Sequence, residues 1–563
     1  MRRALLLVVL AALVLPASAW AHAALLKTSP SASVTVNTPP KRVALTYSEA
    51  VEPHFAIVSV TDAAGTQQTA GAPARSPTDP DELDVPLRHL RQGWYLVFWR
   101  VISEDGHPVR GAFTFAVGPN PGPAPAFAIP SLSETAATPR LIALRWLVFM
   151  SALAAIGLLV LRTMIARPLL DERPRAPATA FWIALAVALV ATPLYILDAT
   201  AQFSLRSVWD VGSLVPLMRQ SAFGRGYLRF ELLLALFGVA AGVALWLDRG
   251  ATRLRSIAEL LSLAGAALAA GAVLLLPGTA GHAAQTTPRA AAVTLDWLHL
   301  AAASVWVGGL IGLLVLWRSV PATRRTAALV ICVPRFSNVA FVSVTLLLGS
   351  GIAASVLHLP TLASLWSTSY GQAILVKAGI LLAAMLLAAF NLLRTRPALL
   401  RPEPPAGVAV LLRRLVAGET LLVAAAVAVA AVLSSLPPPP KALAGIAAPS
   451  AHVGPGQASV ALARNGYSFR VRISPNRAAV PNDFAVAITR NGRPVRGADV
   501  TLRFDMLDME MQSLEYRLPE VRPGLYERSE PTLVMVGRWG LTVTVTPAHG
   551  SPASVVLLDR AGG

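Results

Sequence analysis

The sequence predicts a multidomain membrane protein in three parts: an N-terminal β-sandwich or barrel, a bundle of about eight membrane helices, and a C-terminal β-sandwich. Three observations predict it. Of 563 residues, 55% are hydrophobic and only 14% charged, a balance unusual for a soluble chain of this length. Apolar residues gather into runs of bilayer length between Arg140 and Ser435. On either side, the pattern changes to short alternating segments punctuated by Pro, Gly and Asp.

The first element is a leader. Arg2 and Arg3 precede an apolar run from Ala4 to Leu15, Pro16 breaks it, and Ala19-Trp20-Ala21 supplies small residues where a signal peptidase reads. Residues 1–21 therefore read as a signal peptide, too short to span a bilayer comfortably. Cleavage after Ala21 makes His22 the mature N-terminus, where the α-amine and imidazole Nδ1 can chelate one metal ion. A histidine merely tolerated behind the cut is the plainer alternative, and one residue does not separate the two.

Residues 22–120 form the first domain. "KRVALTYSEAV", "HFAIVSVTD", "GWYLVFWRVIS" and "RGAFTFAVG" alternate as antiparallel strands do. A Pro-rich linker, 121–139, follows.

The membrane domain spans 140–435. Its apolar runs lie near 141–163, 178–199, 227–247, 256–276, 293–317, 336–357, 372–393 and 411–433. Odd-numbered loops contain Arg162, Arg167, Arg173, Arg175, Arg249, Arg253, Arg255, Arg318, Arg324, Arg325, Arg335, Arg394, Arg396, Arg401, Arg413 and Arg414. Even-numbered loops hold only Arg206, Arg219, Arg225, Arg229 and Arg289. Sixteen against five places the odd loops in the cytoplasm and both termini outside, in agreement with the leader. The net charge of +18 thus reads as a positive-inside signature rather than a nucleic-acid groove, and the lipid bilayer is the expected large partner. After a second linker, 436–456, residues 457–563 again alternate, with "RNGRPV" as a hairpin turn.

Cys332 is the only cysteine, which excludes an intramolecular disulfide and a thiolate metal cluster. A metal site must draw on His, Met, carboxylate or the N-terminal amine. In "SEDGHPVRGAFTFAVG", Gly106 lets Asp105 and His107 converge; with His22 and Glu49 they offer the nitrogen-rich, tetragonal donor set that suits Cu(II). His54 and His89 are expected on the surface. At membrane depth, where polar groups are costly, the outer half holds His282, His299, His358 and Lys377. His299 is expected two turns into its span and Lys377 one turn. A copper path is one reading of these four; interfacial or helix-packing hydrogen bonding is the other. Glu231 and Glu419 are expected to pair with Arg or Lys, and "WVGGL" to pack helices closely. In the last domain Met506, Met509 and Met511 form a candidate Cu(I) site, since thioethers select that ion, although methionines on strands also serve as core.

The first domain resembles the CopC family through "HAALLKTSP" at its start and "SEDGHPVRGAFTFAV" at its end. That resemblance implies Cu(II) ligands at His22, Asp105 and His107, with Glu49 as a fourth candidate. Some members also have a methionine-rich Cu(I) site, which is not expected here because no Met lies between Met1 and Met150. The membrane part is similar to the CopD family in "HLAAASVWVGGL", "YGQAILVKAG" and "LRRLVAGE", and the last domain resembles YtkA-like domains. The order matches YcnJ-type fused copper proteins.

These readings predict a protein of the bacterial plasma membrane that binds copper outside and passes it into or across the bilayer. Its expected partners are copper ion and periplasmic copper chaperones, with no nucleic acid. A haem-type membrane oxidoreductase is an alternative, but it needs paired histidines at matched depth, and only His299 lies well inside a span. A copper-binding sensor or scaffold is another. No Walker A string or Ser-His-Asp arrangement is apparent, so neither an ATP-driven pump nor an enzyme is expected.

Overall fold

In a computed structural model, described residues run from Ala23 to Gly562 apart from 24, 33, 104–107, 123–124, 126, 128–137, 173–175, 249–253, 287, 406, 437–438, 440–448, 508–512, 535 and 548–550. The expected leader, His22, Asp105, His107, Met509 and Met511 lie outside them.

Alternating apolar residues build the first domain as two packed sheets. Strands β1 (Leu25–Ser29), β3 (Arg42–Tyr47), β6 (Glu82–Pro86) and β5 (Ala74–Arg75) form one. The other contains β2 (Thr35–Val36), β8 (Pro108–Val117), β7 (Gly93–Ile102) and β4 (Ile57–Asp62). Val43, Leu45, Val97, Trp99 and Phe115 fill the space between them. The β7–β8 hairpin is paired from Gly93↔Val117 to Ile102↔Pro108. Gly111 faces Trp99, and a Cβ there would come within 2.6 Å of the indole, so only glycine leaves room for the ring.

The last domain is a second sandwich. One sheet orders β10 (Ala458–Arg464), β11 (Tyr467–Ser474), β12 (Asn482–Arg490), β17 (Leu525–Glu530) and β16 (Glu520–Arg522), with β13 (Arg493–Pro494) on β12. The other orders β15 (Leu514–Leu518), β14 (Asp499–Met506), β18 (Gly537–Thr546), β19 (Ala553–Ala561) and β9 (Ala451–Val453). Asn491 and Gly492 both have positive φ, 49° and 76°, between paired Arg490 and Arg493, as a two-residue hairpin turn requires. Asp559 is fully buried: Asn476 donates its amide to Oδ1 at 2.8 Å, while Oδ2 and the Asn476 Oδ1 have no hydrogen-bond partner among the described residues.

The two β domains belong to one compact unit and touch. Leu96, Phe98 and Ala112 pack with Ala479. Thr114 Oγ1 donates to the Ala479 carbonyl at 2.8 Å, and the Ala112 N–H donates to the Val534 carbonyl at 3.1 Å. Ala479 has φ of 63°, a left-handed conformation disfavoured for a side chain with Cβ.

Among the described residues, the membrane unit has eight helices long and apolar enough to cross a bilayer. They are α1 (Pro139–Val160), α2 (Ala176–Ser204), α3 (Ala222–Leu247), α4 (Ile257–Ala280), α5 (Arg289–Ser319), α6 (Ala322–His358), α7 (Ser369–Phe390) and α8 (Val408–Leu433). π-helical turns prolong α1 over Leu161–Ile165 and α7 over Asn391–Thr395. Helices outlast the apolar runs because backbone hydrogen bonding continues through polar residues. The 37-residue α6 begins at Ala322 rather than near 336, with Pro334 inside it, and is about 55 Å long. Consequently His299 lies about three turns into α5, and Lys377 about two into α7.

Within its apolar stretch α1 is 67% buried and α5 56%, whereas α7 is only 6% buried, so α1 and α5 are central and α7 peripheral. Glycines set that centre. A Cβ on Gly308 would strike the backbone of Gly157, one on Gly309 would strike the Phe336 ring, and one on Gly312 would lie 2.7 Å from Leu161. Buried Arg145 donates to Tyr195 Oη at 2.8 Å, the Ala431 carbonyl at 3.2 Å and Ser434 at 3.0 Å, and also bonds Ser435, tying α1 to α2 and the end of α8.

The expected cationic partners of two carboxylates are not the ones found. Asn391 donates its amide to Glu419, and Thr192, whose hydroxyl donates to the Ala188 carbonyl, is the polar neighbour of Glu231. An amide partner for Glu419 brings no second charge to desolvate, whereas Glu231 Oε2 is buried without a hydrogen-bond partner among the described residues.

Replacing Gly308 with leucine should collapse the yield of detergent-stable monodisperse protein on size-exclusion chromatography, whereas Gly349→Leu, where a Cβ meets nothing within 4 Å, should be tolerated. A second expectation concerns pH. Burial lifts the Asp559 carboxyl to about 6, above the unfolded value near 3.9. Its stabilising contribution is complete below the unfolded value and lost as pH rises through 6. Between pH 7 and pH 5 the β18–β19 amides of the full chain, corrected for intrinsic exchange, should gain about tenfold protection; Asp559→Asn should remove that gain.

Candidate metal centre

Strand pairing brings Glu49 and the described residues that flank the other first-domain candidates to one end of the sandwich. β1 starts at Leu25 opposite Tyr47, so the chain start and the residues after β3 share an edge. Glu49, half-buried, is two residues beyond Tyr47. Tyr47 packs edge-on against Trp99 at 5.6 Å, three residues before Ile102 closes the hairpin. The same end receives β4, since Ile57 pairs with Arg100. The connection holding Asp105 and His107 leaves from there, between Ile102 and Pro108. His54 and His89 are exposed.

In the membrane unit, polar side chains of α5, α6 and α7 converge. His299 Nδ1 lies 3.1 Å from the Leu347 carbonyl and 3.2 Å from Ser350 Oγ. A carbonyl only accepts, so Nδ1 carries the proton and Nε2 presents its lone pair. That lone pair faces Lys377 Nζ at 3.4 Å. Gly351 makes room for the ring, since a Cβ there would be 3.2 Å from Cε1. His358, seven residues on, donates Nδ1–H to the Ala354 carbonyl at 2.7 Å, accepts from Thr286 Oγ1 at 3.2 Å, and stacks on Tyr370. Seven residues make about 10 Å of helix, and seven also separate Tyr370 from Lys377, so the two histidines occupy successive levels.

Asp296 joins these levels. It stands one turn before His299 on α5, interacts electrostatically with Lys377 and with Tyr370, and packs at Gly278, where a Cβ would come within 2.8 Å of its Oδ2. Sequence reading passed over both Asp296 and Tyr370. The i, i+3 spacing of "DWLH" was the available signal for the first. His282 opens a short helix, His282–Gln285, before α5. Among the described residues no group of three or more His, Cys, Asp or Glu is placed to hold a metal ion. Of the four membrane candidates, His299 and Lys377 stand at one level and His358 at another, rather than in one ligand cage. In the last domain Met506 is 3% exposed and packs in the sandwich core, so its thioether faces neighbouring side chains there.

Family models match three parts of the chain: the CopC domain over residues 25–118, Copper resistance protein D over 330–433, and YtkA-like over 462–544. Similarity to the Copper transport protein CutJ of Bacillus subtilis (strain 168) is 26% identity, covering 94% of each chain. Protein YobA of Escherichia coli (strain K12) is 37% identical over 18% of this chain and 82% of its own. Copper resistance protein C of Xanthomonas campestris pv. juglandis is 33% identical over 20% of this chain and 91% of its own. Through its first domain the chain belongs to the CopC family, and it unites that domain with CopD and YtkA-like domains in a single multipass membrane protein of the copper transport and resistance group.

Proposed function

We propose that the protein captures Cu(II) at the outer face of the plasma membrane and delivers copper to the column on α5, α6 and α7, through which it enters or crosses the bilayer. The observation that carries this reading is the pairing of His299 Nε2 with Lys377 at membrane depth. A histidine held by Nδ1, with its other lone pair turned to a cation, is a preformed ligand whose place an ammonium occupies. Copper arriving at Nε2 displaces Lys377 toward Asp296, and the ammonium returns when the metal leaves.

The outer site uses His22, as imidazole and terminal amine, with Asp105 and His107; Glu49 lies at the same end of the sandwich. Nitrogen donors with carboxylate oxygen suit Cu(II). The linker of about 20 residues reaches ~60 Å when extended, and tethering raises the donor's local concentration. His358 and Tyr370 receive copper first, and His299 next. Sixteen against five basic residues in alternate loops supports termini outside.

Mature protein should begin at His22 and bind one Cu(II) with an EPR signature of mixed nitrogen and oxygen coordination. His107→Ala, or one extra residue ahead of His22, should weaken binding at least a hundredfold; unchanged affinity with the extended N-terminus would remove the amine ligand. In proteoliposomes His299→Ala should abolish copper flux while leaving Cu(II) binding outside intact, and His358→Ala should reduce flux less. Wild-type flux in His299→Ala protein at equal incorporation would favour a sensor without transport.

A further inference from the structure

Glu419, midway along α8, is a buried carboxylate that the copper column does not use. It is 3% exposed, and its hydrogen-bond partner is the Asn391 amide, which donates to Oε1. Charged groups on the surrounding elements are occupied elsewhere or turned outward. Arg413 stacks on Trp317, Arg396 bonds Asn338, Arg145 is held by Tyr195 and Ser434, and Arg394 and Arg414 are exposed. Asp296 and His299 lie at the Lys377 level. An unpaired carboxylate anion at this depth is disfavoured, whereas the neutral acid is not.

The hydrogen bonding has the same polarity. An amide offers donors on one side and an acceptor on the other. With Asn391 Nδ2 on Oε1, its Oδ1 is left buried without a hydrogen-bond partner among the described residues. So is Thr395 Oγ1, on a residue 1% exposed. A protonated Glu419 brings an O–H donor of the kind the Asn391 Oδ1 acceptor lacks; the ionised form brings none. Asn391 and Thr395 bound the π-helical turn at the end of α7, a departure from the α-helical ladder that is frequent at functional sites. Close packing holds α7 to α8 here, since a Cβ on Gly418 would lie 3.2 Å from Leu387.

Lys377 and Asn391 are fourteen residues apart on that same helix, about 21 Å along its axis. α7 thus carries one polar residue into the His299 level and another onto Glu419, while most of its apolar stretch is unburied in the bundle. We propose that Glu419 is a proton-binding site. Its O–H bond forms with a proton taken from water when it is paired with Asn391, and breaks, returning the proton to water, as α7 responds to copper at His299, so that proton and copper movements are coupled. The coupling rests on the copper-transfer reading; the proton site does not.

The test uses the full chain in lipid. Infrared difference spectra between pH 5 and pH 9 should show a protonated-carboxyl C=O band that is missing in Glu419→Gln and shifted in Asn391→Leu. With copper alone as the transported ion, reversing an imposed pH gradient should change wild-type flux at least fivefold, and Glu419→Gln should lose that dependence while retaining Cu(II) binding outside. A band unchanged by Glu419→Gln overturns the proton site. Full pH-gradient dependence in Glu419→Gln overturns the coupling. A titrating Glu419 band in protein that moves no copper leaves the proton site standing and removes the transport reading.

Discussion

The membrane half of this protein is organised by the need to satisfy polar groups where water is absent, and the interaction that shows it best is the Nδ1–H bond of His299 to the Leu347 carbonyl. That bond fixes the tautomer, and the tautomer decides which lone pair is available. Everything around it follows from accommodating one imidazole between three helices. Gly351 gives space on α6, Ser350 offers a second partner, and Lys377 meets the free nitrogen from α7. Asp296 stands one turn before His299 on the same helix and packs at Gly278. Removing Lys377 leaves the buried His299 Nε2 without that partner.

Close approach of α1 and α5 is the second constraint. Gly157 and Gly308 bring the two backbones together, placing α5 at the centre of the bundle with Asp296 and His299 facing their partners rather than lipid. Arg145 performs a related task at one end, spending its donors on hydroxyls and a carbonyl of α2 and the α8 terminus. Lipid-directed packing has little hydrophobic drive between helices, so steric fit and hydrogen bonds carry the specificity.

Outside the bundle, one end of the first sandwich is where the strands that flank the candidate metal ligands come together. Residues distant in sequence meet because β1 pairs with β3 while β7 and β8 close at the same end. Trp99 against Gly111 and Tyr47 stiffens the strands from which the candidate ligand loop leaves. The last domain adds a contact to β8 through Thr114 and Ala112, so the strand that carries the loop is gripped from a second domain.

Much of this was legible in the sequence because it rests on periodicity and local chemistry. Bilayer-length apolar runs located the eight helices, period-2 alternation located strands such as β3, β7, β8 and β12, and Asn491-Gly492 specified a hairpin that needs two positive φ values. The glycines of "WVGGL" announced close packing, and His299 and Lys377 stood out as costly groups in an apolar run. Tertiary structure alone decided partnership. It turned Met506 into core, gave Glu419 an amide rather than a cation, carried α6 back to Ala322, and recruited Asp296 and Tyr370 to the histidine column. The physical reason is that a sequence records the cost of burying each polar group, whereas the atom that offsets the cost lies on another helix at the same depth.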